Sequence, residues 1–567
     1  MRFLFMYPLL VLLCTHAQGQ QFMMYHEDST LIEKVELSDS AAKENYFSKR
    51  LQALQSEGYL LAKLEGSFTK DSIEHVFVSR NKVYKWLNLE ANRIDGSILQ
   101  KAGYKERFYT QKRINIQSLN SLKKSILEVS ENRGFPFAQV WLANFKDSEN
   151  GISAKLFLNK GPLISIDTVR VIGDFETNPR YIKNYLELKE SAIYSEEKIQ
   201  NISLRLKESP FLKEVKSPEV FFTEESAEVR VYLEDQKANL IDGILGLLPN
   251  DLGEVVLTGD VKLNLFNSFK QGDQVLLNWR KLQDRTQDIK IYAKYPFLLN
   301  SPLGTGAKFF LYRRDTIFSS LKADFELNYR LGGNNSLKLQ FGRSSSSLIS
   351  TSGLANISQL PDYADVSLNF YGLGLAFEKL DYRYNPSKGY RMDISATTGQ
   401  KIIQRNAAVN PEVYDSLKLR SNQFELKSDL QLFVPFLKRN TFMQRMQVGW
   451  LQSEQLFQNE LFRIGGIKTL RGFDIEALFA SFYAIYTAEY RFLLEQNSYL
   501  FAFSDIAYYE NTSLGNRIFD QPIGFGAGIS FETRAGIFSF SYALGREQQN
   551  PILLRTGKVH FGLVNYF

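Results

Sequence analysis

Phe462-Arg-Ile-Gly-Gly-Ile-Lys-Thr-Leu-Arg-Gly-Phe473 decides how this chain is read. Gly465, Gly466 and Gly472 are too closely spaced for a helix, because each glycine costs about 1 kcal/mol in a helix interior. The stretch is therefore a long loop of specified conformation. Strand-like runs flank it at 442–451 and 481–494. Arg471 stands between an aliphatic anchor, Leu470, and a flexible residue, Gly472. In the run that follows, Glu489 shares parity with Thr487 and Arg491, opposite Tyr486, Tyr490 and Phe492. Alternation alone places Glu489 on the polar face of its strand. Asp505, in Phe501-Ala-Phe-Ser-Asp-Ile-Ala, shares its face with Phe501 and Phe503, so parity is less helpful there. A carboxylate facing lipid is costly, which assigns Asp505 to the inner side.

Moving outward, helical periodicity disappears after 235–239 and alternation takes over. Sixteen strand candidates follow: 240–248, 254–266, 273–282, 288–297, 306–313, 321–331, 336–343, 366–382, 390–398, 423–434, 442–451, 481–494, 498–508, 523–531, 536–544 and 558–567. An even number of strands of about ten residues, joined by turns and a few long loops, is the pattern of a transmembrane β-barrel. In 536–544, Phe538, Phe540 and Tyr542 share one face, and Ser539 and Ser541 the other. Val559, Phe561, Leu563 and Phe567 share a face of the last run, with Gly562 between them. Phe, Tyr and Trp make up 14% of the chain, which suits the aromatic girdles of such a barrel. No apolar run reaches the 18 residues of a helical span. The alternative on composition alone is a soluble all-β protein.

Residues 22–235 are mixed α/β and repeat. The last copy, 161–235, runs β-α-α-β-β. Its helix at 179–188 opens on Asn178-Pro179, and the next carries Ile199, Ile202 and Leu206 on one face. The copy at 83–160 follows the same plan. The copy at 20–82 is less complete, with a strand near 32–37, one helix at 41–56, and runs at 58–64 and 74–79. Glu57-Gly-Tyr-Leu-Leu-Ala-Lys and Arg133-Gly-Phe-Pro-Phe-Ala-Gln occupy the same helix-to-strand corner of two copies. Residues 1–19 read as a signal peptide: a charged start, a short apolar run and small residues at a cleavage site. Cys14 is the only cysteine, so the mature chain offers no disulfide or thiolate ligand. The four histidines, His16, His26, His75 and His560, show no ligand spacing, and the enzyme motifs sought are missing. The expectation is therefore a non-enzyme without metal or cofactor. A net charge of +6 over 567 residues gives no reason to invoke nucleic acid.

The Leu470-Arg-Gly-Phe473 core closely resembles the loop signature of the Omp85 superfamily of outer-membrane β-barrels. Two further stretches are similar to that family. One is the hairpin Asp381-Tyr-Arg-Tyr-Asn-Pro-Ser-Lys-Gly389; the other is Gly524-Phe-Gly-Ala-Gly528 before Gly536. A terminal aromatic, Phe567, also resembles the family's assembly signal, although Asn565 stands where an apolar residue is usual. The resemblance implies α+β POTRA repeats (β-α-α-β-β) in the periplasm, followed by a 16-stranded antiparallel transmembrane β-barrel over 236–567. It implies that the loop, with Arg463, Gly465, Gly466, Leu470, Arg471, Gly472 and Phe473, folds into the lumen. There Arg471 would meet Glu489 and Asp505, with Phe473 and Ile467 packing the loop on the wall. The role is structural. The family's mechanism needs a weak seam between first and last strands. Gly243, Gly246 and Pro249 on the first, and Gly562 and Phe567 on the last, are the candidates. A labile first strand would template a client strand by edge pairing, and POTRA edges such as 215–222 would hold clients by β-augmentation. Three modules resemble the TamA-like, surface-antigen D15-like plan more than the five-module BamA plan. The implied partners are unfolded outer-membrane or exported clients, outer-membrane lipids, and periplasmic chaperones or inner-membrane assembly factors. The alternatives are a two-partner-secretion-type transporter of one or few clients, and a passive pore with binding modules.

Overall fold

The computed structural model describes residues 20–26, 31–37, 40–70, 73–249, 255–283, 285–382, 385–513, 517–533, 536–547, 555 and 557–566. The proposed signal segment lies outside them. Two compact units divide the chain. One holds Met1–Asp167 with Ser191–Glu197 and Phe222–Ala227; the other holds Thr168–Glu190, Lys198–Phe221 and Glu228–Phe567.

The first unit contains two small sheets. One has the strand order Leu31–Leu37, Gln20–His26, Ile73–Ser79, Lys63–Lys70, backed by the helix Ser40–Ser56. Phe22, Met24, Phe47, Leu54, Val76 and Val78 form its core. The sequence reading missed Gln20–His26. This strand alternates Phe22 and Met24 inward, and its parallel partner, Ile73–Ser79, comes some fifty residues later. The order here is β-β-α-β-β, with one helix, so the first copy departs from the β-α-α-β-β plan. The second sheet orders Trp86–Glu90, Gly151–Asn159, Gln139–Ser148, with helices Gly96–Lys101 and Ile116–Glu131. Asp95 and Asn115 cap these helices, accepting from Ser97 N and Ser118 N, each at 2.8 Å. The repeated corner is a helix end in both copies. Gly58 and Gly134 take φ of 102° and 92°, the left-handed value that stops a helix.

The third sheet orders Ser165–Ile172, Ser226–Asp235, Leu212–Phe222, with helices Pro179–Tyr185 and Glu196–Glu208. Ala227, Val229, Val231 and Leu233 are fully buried, the period of two of a strand with one face in the core. Within the second unit this module is bonded to the short turns of the barrel. Asn267 Nδ2 donates to Thr177 Oγ1 at 2.7 Å, Asn178 N donates to Lys270 O at 2.8 Å, and the Tyr181 and Phe297 ring centroids are 5.6 Å apart.

The barrel has sixteen antiparallel strands. They are β1 Leu240–Pro249, β2 Val255–Phe266, β3 Gln274–Gln283, β4 Thr286–Tyr295, β5 Leu303–Arg314, β6 Phe318–Gly332, β7 Asn335–Leu348 and β8 Val366–Leu380. The second half comprises β9 Gly389–Ile403, β10 Arg420–Leu437, β11 Asn440–Ser453, β12 Phe482–Leu493, β13 Tyr499–Asn511, β14 Ile523–Thr533, β15 Gly536–Arg546 and β16 Lys558–Tyr566. A short piece, Ile518–Asp520, extends the β14 side of β13. Phe540, Tyr542, Val559 and Phe561 are exposed on the outside while Ser541 is buried, as a lipid-facing wall requires. Among the described residues no helix is long and apolar enough to cross a membrane, and the last α-helix ends at Glu208. At the long-loop end, Val366, Ile403, Val409, Val413, Tyr414 and Phe457 pack together, and buried Lys401 donates to Gln455 O at 2.6 Å and pairs with Glu460.

Candidate functional site: a lumenal loop beside a weak seam

The loop between β11 and β12 rises as a two-stranded ribbon, Phe462–Ile464 against Leu478–Ala480. Its tip turns on Gly465, Gly466 and Gly472, with φ of 122°, 85° and 90°. At Gly472 a Cβ would lie 2.6 Å from the Leu544 carbonyl, so only glycine permits this approach to β15. Thr469, which sequence reasoning passed over, closes the turn: its Oγ1 accepts from Gly465 N at 2.9 Å and donates to Gly465 O at 3.0 Å. Leu470 and Phe473 are buried with Ile464, Ala480, Ile485 and Ala507. Ile467 does not join them. It is 45% exposed, because the turn after Gly466 points it away and Leu470 takes the inner position.

Arg471 is the centre of the contact. Its Nε and Nη2 donate to Asp505 Oδ2 and Oδ1 at 2.8 and 2.7 Å, and its own backbone N reaches Oδ2 at 3.0 Å. Nη1 donates to Glu489, which also accepts from Arg491 Nε at 2.8 Å. Asp505 is fully buried. Two arginines and two carboxylates thus form a neutral buried chain, the condition under which buried charges are tolerated. Arg491 Nη1 continues to Asn385 Oδ1 at 3.0 Å, in the hairpin whose Asp381 accepts from Ser387 N and Lys388 N at 3.0 and 2.9 Å.

The parity that left Asp505 ambiguous has a physical reason. Phe503 faces inward because the Arg471 guanidinium lies 3.5 Å from its ring centre. The alternate glycines of β14 make room for this. A Cβ at Gly524 would meet Arg471 O at 1.9 Å, at Gly526 the Phe503 ring at 2.9 Å, and at Gly528 the Phe501 ring at 2.5 Å. Arg463 faces elsewhere, 3.6 Å over the Tyr312 ring and 3.2 Å from Glu476.

The seam lies between β1 and β16. β1 pairs with β2 at ten positions, from Leu240↔Asn264 to Pro249↔Val255, through Gly243 and Gly246. β16 pairs with β15 at seven, Gly562 opposite Ser539. Between β1 and β16, among the described residues, only Leu240↔Tyr566 and Ile241↔Asn565 pair. Gly243 and Gly246 lie within an intact ladder with β2, and the described deficit of partners is on the β16 side, where the first strand is expected to open. Phe567 lies outside the described residues.

The chain is similar in structure to CdiB from Escherichia coli, with 12% identity, a TM-score of 0.55, and coverage of 93% of this chain and 97% of that one. CdiB from Acinetobacter baumannii gives 14% identity, a TM-score of 0.53, and 93% and 98% coverage. BamA from Haemophilus ducreyi lacking POTRA domains 1–3 gives 14% identity, a TM-score of 0.44, and 85% and 100% coverage. No curated protein sequence matches the chain. The Omp85 superfamily domain matches residues 267–567, more than half of the chain, and the chain therefore belongs to the Omp85 superfamily of outer-membrane β-barrels.

Proposed function

We propose that this chain inserts client proteins into the outer membrane or exports them across it, with its N-terminal modules in the periplasm and its seam as the working edge. The observation that carries the reading is the seam. Among the described residues two backbone pairs join β1 to β16, while β1–β2 and β15–β16 hold ten and seven. An edge so sparsely paired presents free N–H and C=O groups to an incoming strand. The edge strands of the modules would hold clients by the same chemistry, and Arg471 fixes the loop without catalysing a reaction. The loop reaches from β12 and β13 to β3 and β5 across the interior, which favours this reading over a passive pore.

The test is depletion of the protein followed by quantitative proteomics of the purified outer membrane, complemented by wild type or by an Ile241→Cys/Asn565→Cys form locked across the seam. Loss of many barrels that only the unlocked form restores is the expected result. Loss of one or two exported proteins would mark a transporter of the two-partner-secretion type. Full rescue by the locked form would overturn the seam mechanism.

A further inference from the structure

The loop touches the barrel on both sides of the seam. On one side are the Arg471 contacts with β12 and β13, the approach of Gly472 to β15, and Lys558 of β16, which pairs with Asp474 at 2.7 Å. Two residues after Asp474 the loop reaches the opposite flank. There Glu476 accepts from Arg280 Nη2 of β3 at 2.6 Å. Glu476 takes φ of 57°, a left-handed conformation uncommon for a residue with a side chain. Such a backbone persists where surrounding contacts enforce it. Arg463 over Tyr312, and Arg314 of β5 at 4.9 Å from the Phe479 ring, add to this second footing.

We propose that Glu476 and Arg280 form a releasable clasp that ties the loop across the seam and holds it shut. This rests on the reading that the seam opens in use. The loop joins the β12–β16 flank to the β3–β5 flank, so β1 and β16 part freely only when one footing lets go. The two footings differ in what release would leave behind. Freeing Arg471 strands Asp505, which is fully buried and has no other ion-pair partner among the described residues. An unpaired buried charge makes that footing permanent. Freeing the clasp strands nothing. Arg280 keeps Asp288 of β4, to which its Nε donates at 2.7 Å, and Glu476 keeps Arg463. Each partner retains a counter-charge on its own side, so the bond exchanges without a desolvated ion being left alone. The loop is thus pinned on one flank and latched on the other.

The experiment uses the full chain, with Cys14→Ser, reconstituted in liposomes and carrying Ile241→Cys and Asn565→Cys at facing positions of the seam. The rate of disulfide formation under a fixed oxidant reads how often the two strands are in register. Arg280→Gln or Glu476→Gln should each lower that rate by about fivefold, a change fitting one partly exposed ion pair. The double variant should do no more than either single one. Arg445→Gln is the control, because Arg445 Nη1 holds the loop by Lys468 O at 3.0 Å from β11, on the pinned flank alone. It should leave the rate unchanged. Wild-type rates in both clasp variants, or an equal fall in the control, would overturn the clasp. Heat-modifiable gel migration confirms that each variant has folded. The cross-linking result stands whether or not the locked form fails to support the outer membrane, so the clasp and the insertion reading fail separately.

Discussion

Arg471 is held by a fork that a shorter cation cannot reproduce. Its side chain makes two bonds to Asp505 and one to Glu489 while its flat face covers Phe503. A lysine brings one point charge and no plane. Arg471→Ala should therefore release the loop, at a cost of about 3–5 kcal/mol for breaking a buried pair, and Arg471→Lys should recover little of it. Limited trypsin digestion of outer-membrane fractions checks this, since freed Lys468 becomes a cleavage site. Resistance of Arg471→Lys equal to wild type would show that the fork is unnecessary. The two acids are not equivalent. Asp505→Asn takes away the charge and one of the two oxygens that accept three bonds from Arg471, whereas Glu489→Gln takes away the charge of a carboxylate that accepts one further bond from Arg471 and one from Arg491. Cleavage should be greater for Asp505→Asn in the same assay.

At the scale of the strand, β14 shows why glycine recurs every second residue. The expectation from propensity alone is that Gly→Ala in a strand helps slightly. On β14 it should harm. A Cβ at Gly528 would meet Phe540 O at 2.4 Å and the Phe501 ring at 2.5 Å, so the pleat and an inward ring would both have to shift. At Gly562 of β16 the nearest heavy atom would be Ser539 Cβ at 3.9 Å, an ordinary contact. Gly528→Ala should lower the unfolding temperature or block assembly, with about 1–3 kcal/mol of overpacking, while Gly562→Ala should assemble normally. Equal behaviour of the two in a heat-modifiability series would refute the packing argument. The Gly524-Phe-Gly-Ala-Gly528 stretch was visible in the sequence; its purpose was not, because the rings it accommodates belong to another strand. Thr469 was missed for a related reason: a hydroxyl that closes a turn carries no periodicity.

For the whole molecule, alternation located all sixteen strands, since a wall with lipid on one side and a polar interior on the other forces a period of two. It undersized many of them. β10 runs Arg420–Leu437 where 423–434 is read from the sequence, because Arg420-Ser-Asn422 is polar and Pro435 interrupts the strand pattern at the other end. Pairings between distant segments were harder to see: Gln20–His26 beside Ile73–Ser79, or the packing of Val413 and Phe457 at the long-loop end. The third module shows what such long-range contact implies for preparing the protein. Its Tyr181 ring occupies the space that a side chain at Gly272 would take and meets Phe297, and its Thr177 accepts from Asn267. A fragment starting at residue 236 would leave those aromatic and amide groups bare, at a loss of about 2–3 kcal/mol for the buried ring alone. Refolded into detergent, a 161–567 fragment should give a higher yield of heat-modifiable barrel than 236–567, and equal yields would contradict this. The point at which to cut such a chain is therefore set by where a tyrosine ring is seated, some sixty residues ahead of the first membrane strand.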